Sequence, residues 1–90
     1  MGHFYEDYVG RGKNRSEAQR NMEQEFYFEN GHRCDIRDVT NPRLLRTEPP
    51  TKWVNTSTNP RMQYMEERPD PDAPKDQWIQ VWLFHVHYHH

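Results

Sequence analysis

Ninety residues leave room for one domain, and a formal net charge of −2 lacks the basic bias that general nucleic-acid binding requires. Hydrophobic residues are only 32% of the chain, so its core must be small, although aromatic residues at 13% can bury large areas. The single cysteine excludes an internal disulfide. The sequence contains no apolar run of the kind found in a signal peptide or a membrane-spanning helix. We therefore expect a cytoplasmic protein that does not contact a membrane.

The first half of the chain predicts a strand followed by a helix. Residues 3–9 are rich in strand-forming side chains and end at Gly10-Arg11-Gly12. The segment 16–19 matches a capping box, which predicts a helix from Glu17 towards Phe28 with an apolar stripe at Ala18, Met22 and Phe26. Asn30-Gly31 is either the helix stop or a hairpin turn after a strand-like segment 26–28. The regular stripe favours the helix.

The second half predicts two further strands separated by a long excursion. Residues 33–40 read as the second strand, and 77–88 as the final, central strand. All seven prolines lie within 42–74, so 41–76 is expected to be a proline-rich excursion. Within it, 52–55 and 61–65 are expected to form a marginal hairpin or edge strands. The predicted fold class is α+β: one domain with one helix packed on a small, mainly antiparallel sheet, in the order β-α-β-excursion-β.

The layout resembles that of dodecins, which are small oligomeric βαββ proteins. The resemblance is carried by a strand ending in Val9-Gly10, a Ser-capped helix containing Glu17-Ala18, and a closing strand with Gln80-Val81-x-Leu83. This chain has a far longer excursion and lacks a flavin-stacking tryptophan in its second strand. The resemblance therefore concerns topology and implies nothing about function.

The final strand is apolar in both of its alternating registers. A strand of this kind is covered on both faces, and one helix can cover only one of them. A second copy of the chain is the simplest cover for the other face, so the sequence predicts a homo-oligomer. Aromatic side chains that dominate binding surfaces are the candidate interface residues. They are Trp53, Trp78, Trp82, Phe84 and Tyr88.

The loop between the first strand and the helix is a candidate anion site. A helix N-terminus offers unpaired amides and a positive dipole end, and three basic side chains lie within five residues. The candidate ligands of a phosphate are Arg11, Gly12, Lys13, Arg15 and Ser16. The alternative is a solvated basic loop, because neither a Walker A motif nor a complete dinucleotide fingerprint is present.

Two pairs of metal-ligating residue types occur at strand spacing. Each pair is separated by one residue, so its members share one face of a strand. If the second and last strands are antiparallel neighbours, four ligands could bind tetrahedral zinc. The set is His32, Cys34, His85 and His87. The alternative is no cofactor, with Cys34 an ordinary buried hydrophobe.

The sequence supplies no catalytic constellation, since Cys34 has no oriented triad and the paired acids lie in the proline-rich segment. We expect a small non-enzymatic protein that acts through protein–protein contacts, with itself and with another protein. It would be an accessory, structural or inhibitory subunit, of the kind that phages also encode. The alternatives are binding of a phosphorylated ligand, nucleotide or nucleic-acid backbone at 10–16, and zinc binding.

Overall fold

The computed structural model describes residues 2–90, apart from the side chain of His32. The regular elements are β1 (His3–Gly12), α1 (Arg15–Asn30), β2 (Asp35–Glu48), β3 (Thr51–Asn55), β4 (Met65–Pro69) and β5 (Ile79–His89). Short 3₁₀ turns occupy Gly31–Arg33 and Lys75–Gln77. The chain forms two compact units: the residues up to Glu48 together with Ile79–His90, and the segment Pro49–Trp78.

The first unit contains a three-stranded sheet in the order β1-β5-β2, with β5 antiparallel to both neighbours. β1 and β2 are therefore parallel to each other, and α1 connects them across the central strand. This is a β-α-β unit split by an antiparallel strand. The prediction of an α+β protein with one helix on a mainly antiparallel sheet is confirmed, as is the central place of the last strand.

One face of this sheet, called the inner face, packs against α1. Alternate residues of β5 reach it from Trp82 to Tyr88, because successive side chains of a strand point to opposite faces. The predicted helix stripe supplies the other side of the core. The buried cluster consists of Ala18, Met22, Phe26, Cys34, Phe84, Val86 and Tyr88.

Gly10 and Gly12 allow α1 to lie directly on β1. A Cβ at Gly10 would overlap the carbonyl oxygen of Ala18 and lie 2.9 Å from the Met22 Cβ. A Cβ at Gly12 would lie 2.5 Å from the Ala18 amide nitrogen. Both positions are buried in the strand itself. The glycines thus end no strand; they make room for the helix backbone.

The helix begins two residues before the predicted start. Asn14, not Ser16, is its N-cap: the Asn14 Oδ1 accepts from the Glu17 N–H at 2.8 Å. At the other end Gly31 has φ 65°, and its N–H donates to the Tyr27 carbonyl. Left-handed φ values favour glycine, so Gly31 stops the helix as predicted. The hairpin alternative for 26–31 is wrong.

Replacing Asn14 with alanine should lower the free energy of unfolding by about 1 kcal/mol, because the Glu17 amide loses its acceptor. The matched control is Ser16→Ala, which removes the hydroxyl of the predicted capping box and should change stability by less than about 0.5 kcal/mol. Urea titration followed by the helix signal at 222 nm measures both. Equal losses in the two variants would contradict the assignment of Asn14 as the cap.

β2 continues well beyond the predicted end at Thr40, through Pro42 to Glu48. It pairs with β5 along one side, and an edge strand tolerates a proline because the missing N–H costs no ladder bond. The register shifts between Thr40 and Arg43, where Asn41 has φ 51°. A bulge of this kind inserts an extra residue and lets pairing resume. The excursion therefore begins at Pro49.

The second unit is the predicted hairpin with its second strand further along the chain. β3 and β4 pair antiparallel, with Trp53 opposite Glu67. The loop before β4 is held by local hydrogen bonds, including Ser57 N–H to the Asn55 side chain at 3.0 Å. Trp78 donates its Nε1–H to the Ala73 carbonyl at 2.9 Å, and the Lys75 ammonium lies 3.5 Å from the centre of its ring.

Candidate functional site

The sheet face opposite α1, called the outer face, carries ionisable and hydrogen-bonding side chains from all three strands. Strand pairing arranges them in rows across the sheet, because cross-strand partners share a face. β1 contributes His3, Tyr5, Asp7, Val9 and Arg11; β5 contributes Ile79, Val81, Leu83, His85, His87 and His89; β2 contributes Asp35, Asp38, Thr40, Arg43, Arg46 and Glu48.

Three imidazoles meet at one end of the outer face. His3 is the register partner of His89, and His87 is one row further along β5. The His3 Nδ1 lies 2.9 Å from the His87 Nε2, and the ring centres of His3 and His89 are 4.9 Å apart. Tyr5 lies flat on His87, with ring centres 4.6 Å apart and planes 9° apart. Stacking on Tyr5 therefore holds the His87 ring in place.

The next row contains a histidine–carboxylate pair. The His85 Nδ1 lies 2.9 Å from the Asp7 Oδ1, an arrangement in which the carboxylate accepts from Nδ1–H. A shallow cavity of about 270 Å³ adjoins this pair. It is lined by Asp7, Asn41, Arg43, Leu83 and His85. The bulge at Asn41 therefore brings polar side chains of β2 beside the His85 ring.

The opposite end of the outer face is basic. Glu48 accepts from Arg11 at 2.8 Å and from Arg46 at 2.6 Å, so an ion-pair bridge joins the two edge strands across β5. Both arginines are register partners of Val81, which is completely buried. The hydrogen bond from Arg46 is the main cause of a lowered Glu48 pKa, and the charge of Arg11 acts in the same direction.

The predicted interface aromatics are distributed over different surroundings. Phe84 and Tyr88 belong to the inner-face core and are not available for contact with another molecule. Trp82 packs at the edge of that core, and its Nε1–H donates to Gln80 at 2.8 Å. Trp78 is half-buried within the second unit. Trp53 is 64% exposed and alone among the five presents most of its surface to solvent.

The structure does not bring the predicted zinc ligands together. Cys34 lies in the inner-face core, whereas His85 and His87 lie on the outer face, so the sheet separates them. The side chain of His32 lies outside the described residues. Among the side chains that are described, no group of three or more His, Cys, Asp or Glu is arranged to hold a metal ion. The partner of His87 is instead His3. The sequence shows that His85, His87 and His89 share one face of a strand, but only the pairing of β1 with β5 brings His3 to that face.

The predicted anion loop is shorter than its sequence indicated. Gly12 is buried in β1 and Arg11 pairs with Glu48, so neither belongs to a loop. The Glu17 amide, which would face an anion, is already bonded to Asn14. Lys13, Arg15 and Ser16 remain exposed around the helix start. The predicted ligands therefore lie in three different settings.

Comparison with known proteins identified no relative. A scan against family models and searches of curated proteins and of solved structures each gave no significant match. Between residues 2 and 90, no helix is long and apolar enough to cross a membrane. The chain's own geometry must therefore carry any functional proposal.

Proposed function

We propose that this chain is a small protein-binding module that self-associates through the outer face of its sheet. The observation that carries this proposal is the exposure of apolar side chains on that face. Tyr5 is 62% exposed and Val9 is 44% exposed, beside the half-buried Leu83. The Asp7–His85 pair lies between Tyr5 and the Val9–Leu83 row. Exposed apolar side chains among polar ones are typical of protein interaction sites.

The charges on this face favour a second copy as the partner. Asp7 and Asp38 lie towards the histidine end, Arg43 lies in the middle row with Val9 and Leu83, and Arg46 lies towards the other end. A twofold interface must be complementary to itself. If two faces stack with their strands reversed, the acidic end of one copy lies over the basic end of the other, and the middle rows that hold Val9 and Leu83 meet. Opposite charges then face each other without any further partner.

The size of the face sets the strength of the expected association. β1 and β5 have 10 and 11 residues, so three strands give an area of roughly 14 by 33 Å. That area is below the ~800 Å² per partner of a standard stable interface. We therefore expect a weak, reversible dimer whose population depends on concentration.

Analytical ultracentrifugation over a range of protein concentrations tests the proposal. The wild type should sediment as a monomer–dimer equilibrium. Val9→Asp should raise the dimer dissociation constant by at least about thirtyfold, since a buried unpaired charge costs on the order of 2 kcal/mol or more. Phe28→Asp is the matched control: Phe28 is 90% exposed on α1, away from the outer face, and its replacement should leave the dimer unchanged.

A charge exchange separates this interface from non-specific association. Asp38→Arg alone and Arg46→Asp alone should each weaken the dimer, because each places like charges opposite each other. The double variant restores opposite charges and should recover most of the lost affinity. A monomeric wild type at every concentration, or equal loss in Phe28→Asp and Val9→Asp, would contradict self-association through this face.

The alternative, capture of a phosphorylated ligand or nucleic-acid backbone at 10–16, has less support. Of its five residues, Lys13, Arg15 and Ser16 lie around the helix start, while Arg11 is paired and Gly12 is buried. Zinc binding through Cys34 has no supporting geometry.

A further inference from the structure

The side chains of His3 and His87 lie close together, and the proposed self-association gives this pair no role. Their facing ring nitrogens are 2.9 Å apart. Two imidazole nitrogens at this distance can hold one proton between them, with one donating and the other accepting. When both rings are neutral and each turns by about 45°, both nitrogens can instead direct lone pairs at one cation. The pair can therefore hold either a proton or a metal ion.

We propose that His3 and His87 chelate a divalent transition-metal ion of the copper and nickel class. Imidazole suits these metals, and metal–nitrogen bonds are about 2.0–2.1 Å long. Two such bonds to nitrogens separated by 2.9 Å enclose an angle of about 90°. That is the angle between neighbouring ligands in square-planar or octahedral sites, whereas tetrahedral zinc requires a wider separation. Water completes the coordination.

The surroundings of the pair support binding of a cation. The His87 ring lies flat on Tyr5, so less of its rotational freedom must be lost when a metal binds. Asp38 is the register partner of His87 on β2, and it places negative charge on the same face. His3 is anchored from the other strand, where the Gly2 N–H donates to the His90 carbonyl at 3.1 Å. Two strands of one sheet thus hold the two ligands.

Metal titration of the full chain tests the proposal. Isothermal titration with copper(II) and nickel(II) should give one equivalent per chain, and zinc(II) should bind more weakly than either metal. H87A and H3A should each weaken copper binding by more than about 100-fold, since even the loss of an outer-sphere partner costs 10–100-fold. H85A is the matched control, because His85 lies on the same strand and face but pairs with Asp7. It should change the affinity by less than about threefold.

Two further measurements separate a ligand role from a structural one. The electron paramagnetic resonance spectrum of the copper complex should show coupling to two imidazole nitrogens, and H87A should lose one of them. In the presence of a chelator, H87A and H3A should melt within a few degrees of wild type. Should one variant fail to fold, the other tests the same pair from the opposite strand. Absence of metal uptake by the wild type, or an equal loss in H85A and H87A, would overturn the proposal.

Discussion

Replacing Gly10 with alanine should destabilise the first unit by about 3 kcal/mol or more, a large fraction of the stability of so small a domain. The added Cβ would overlap the Ala18 carbonyl and press on Met22. Backbone cannot move aside as a flexible side chain can, so α1 must lift from the sheet. Thermal unfolding followed at 222 nm measures the loss, because α1 belongs to this unit.

The other glycines provide graded controls for this substitution. A Cβ at Gly2 would lie 4.0 Å from its nearest neighbour, so Gly2→Ala should change stability by less than about 0.5 kcal/mol. Gly31 has open space around it but a φ of 65°, so Gly31→Ala should cost about 1–2 kcal/mol from backbone strain alone. A Gly10→Ala variant as stable as Gly2→Ala would show that α1 can withdraw from β1 without cost.

The parts of the fold that depend on local pattern could be predicted from the sequence. The helix was indicated by Ala18, Met22 and Phe26 at four-residue spacing, and all three are buried. The last strand was indicated by its density of β-forming residues, and it is central. Burial recurs every four residues in the helix and alternates from Phe84 to Tyr88 in the last strand, so local and tertiary preferences agree in these segments.

The parts that depend on pairing between distant strands could not be predicted in the same way. Gly10 and Gly12 read as a turn because the sequence does not show that a helix will lie against them. β2 read as ending near Pro42 because a proline is excluded from a central strand, and its edge position became clear only from the strand order. Both errors arise from contacts that the local sequence does not encode.

The candidate site illustrates the same limit. His85 and His87 were recognised as one face of a strand, and they do lie together. Cys34, which was predicted to join them in a zinc site, lies on the inner face instead. His3, 84 residues away in the chain, comes into contact with His87 only through the antiparallel register of β1 and β5. A site shared between the ends of a chain requires the register, which the residue pattern alone did not supply.

Exchange of Phe84 for glutamate should unfold the first unit and not merely dissociate a dimer. Phe84 has no exposed surface and packs in the core against α1. The described part of that core contains no buried polar or charged residue, so nothing there can pair with a carboxylate. An uncompensated buried charge, added to the loss of a large aromatic side chain, exceeds the several kcal/mol that hold such a domain together.

Val9→Asp is the informative comparison, because it places the same charge on the opposite face of the same sheet. Val9 pairs with Leu83, the residue before Phe84, and is 44% exposed. Its carboxylate can reach water in the monomer, so the helix signal at 222 nm should persist while the dimer is lost. Phe84→Glu should lose that signal at every protein concentration. If Phe84→Glu remains folded and only its sedimentation changes, the inner face is an interface and not the core, and the assignment of the two faces must be reversed.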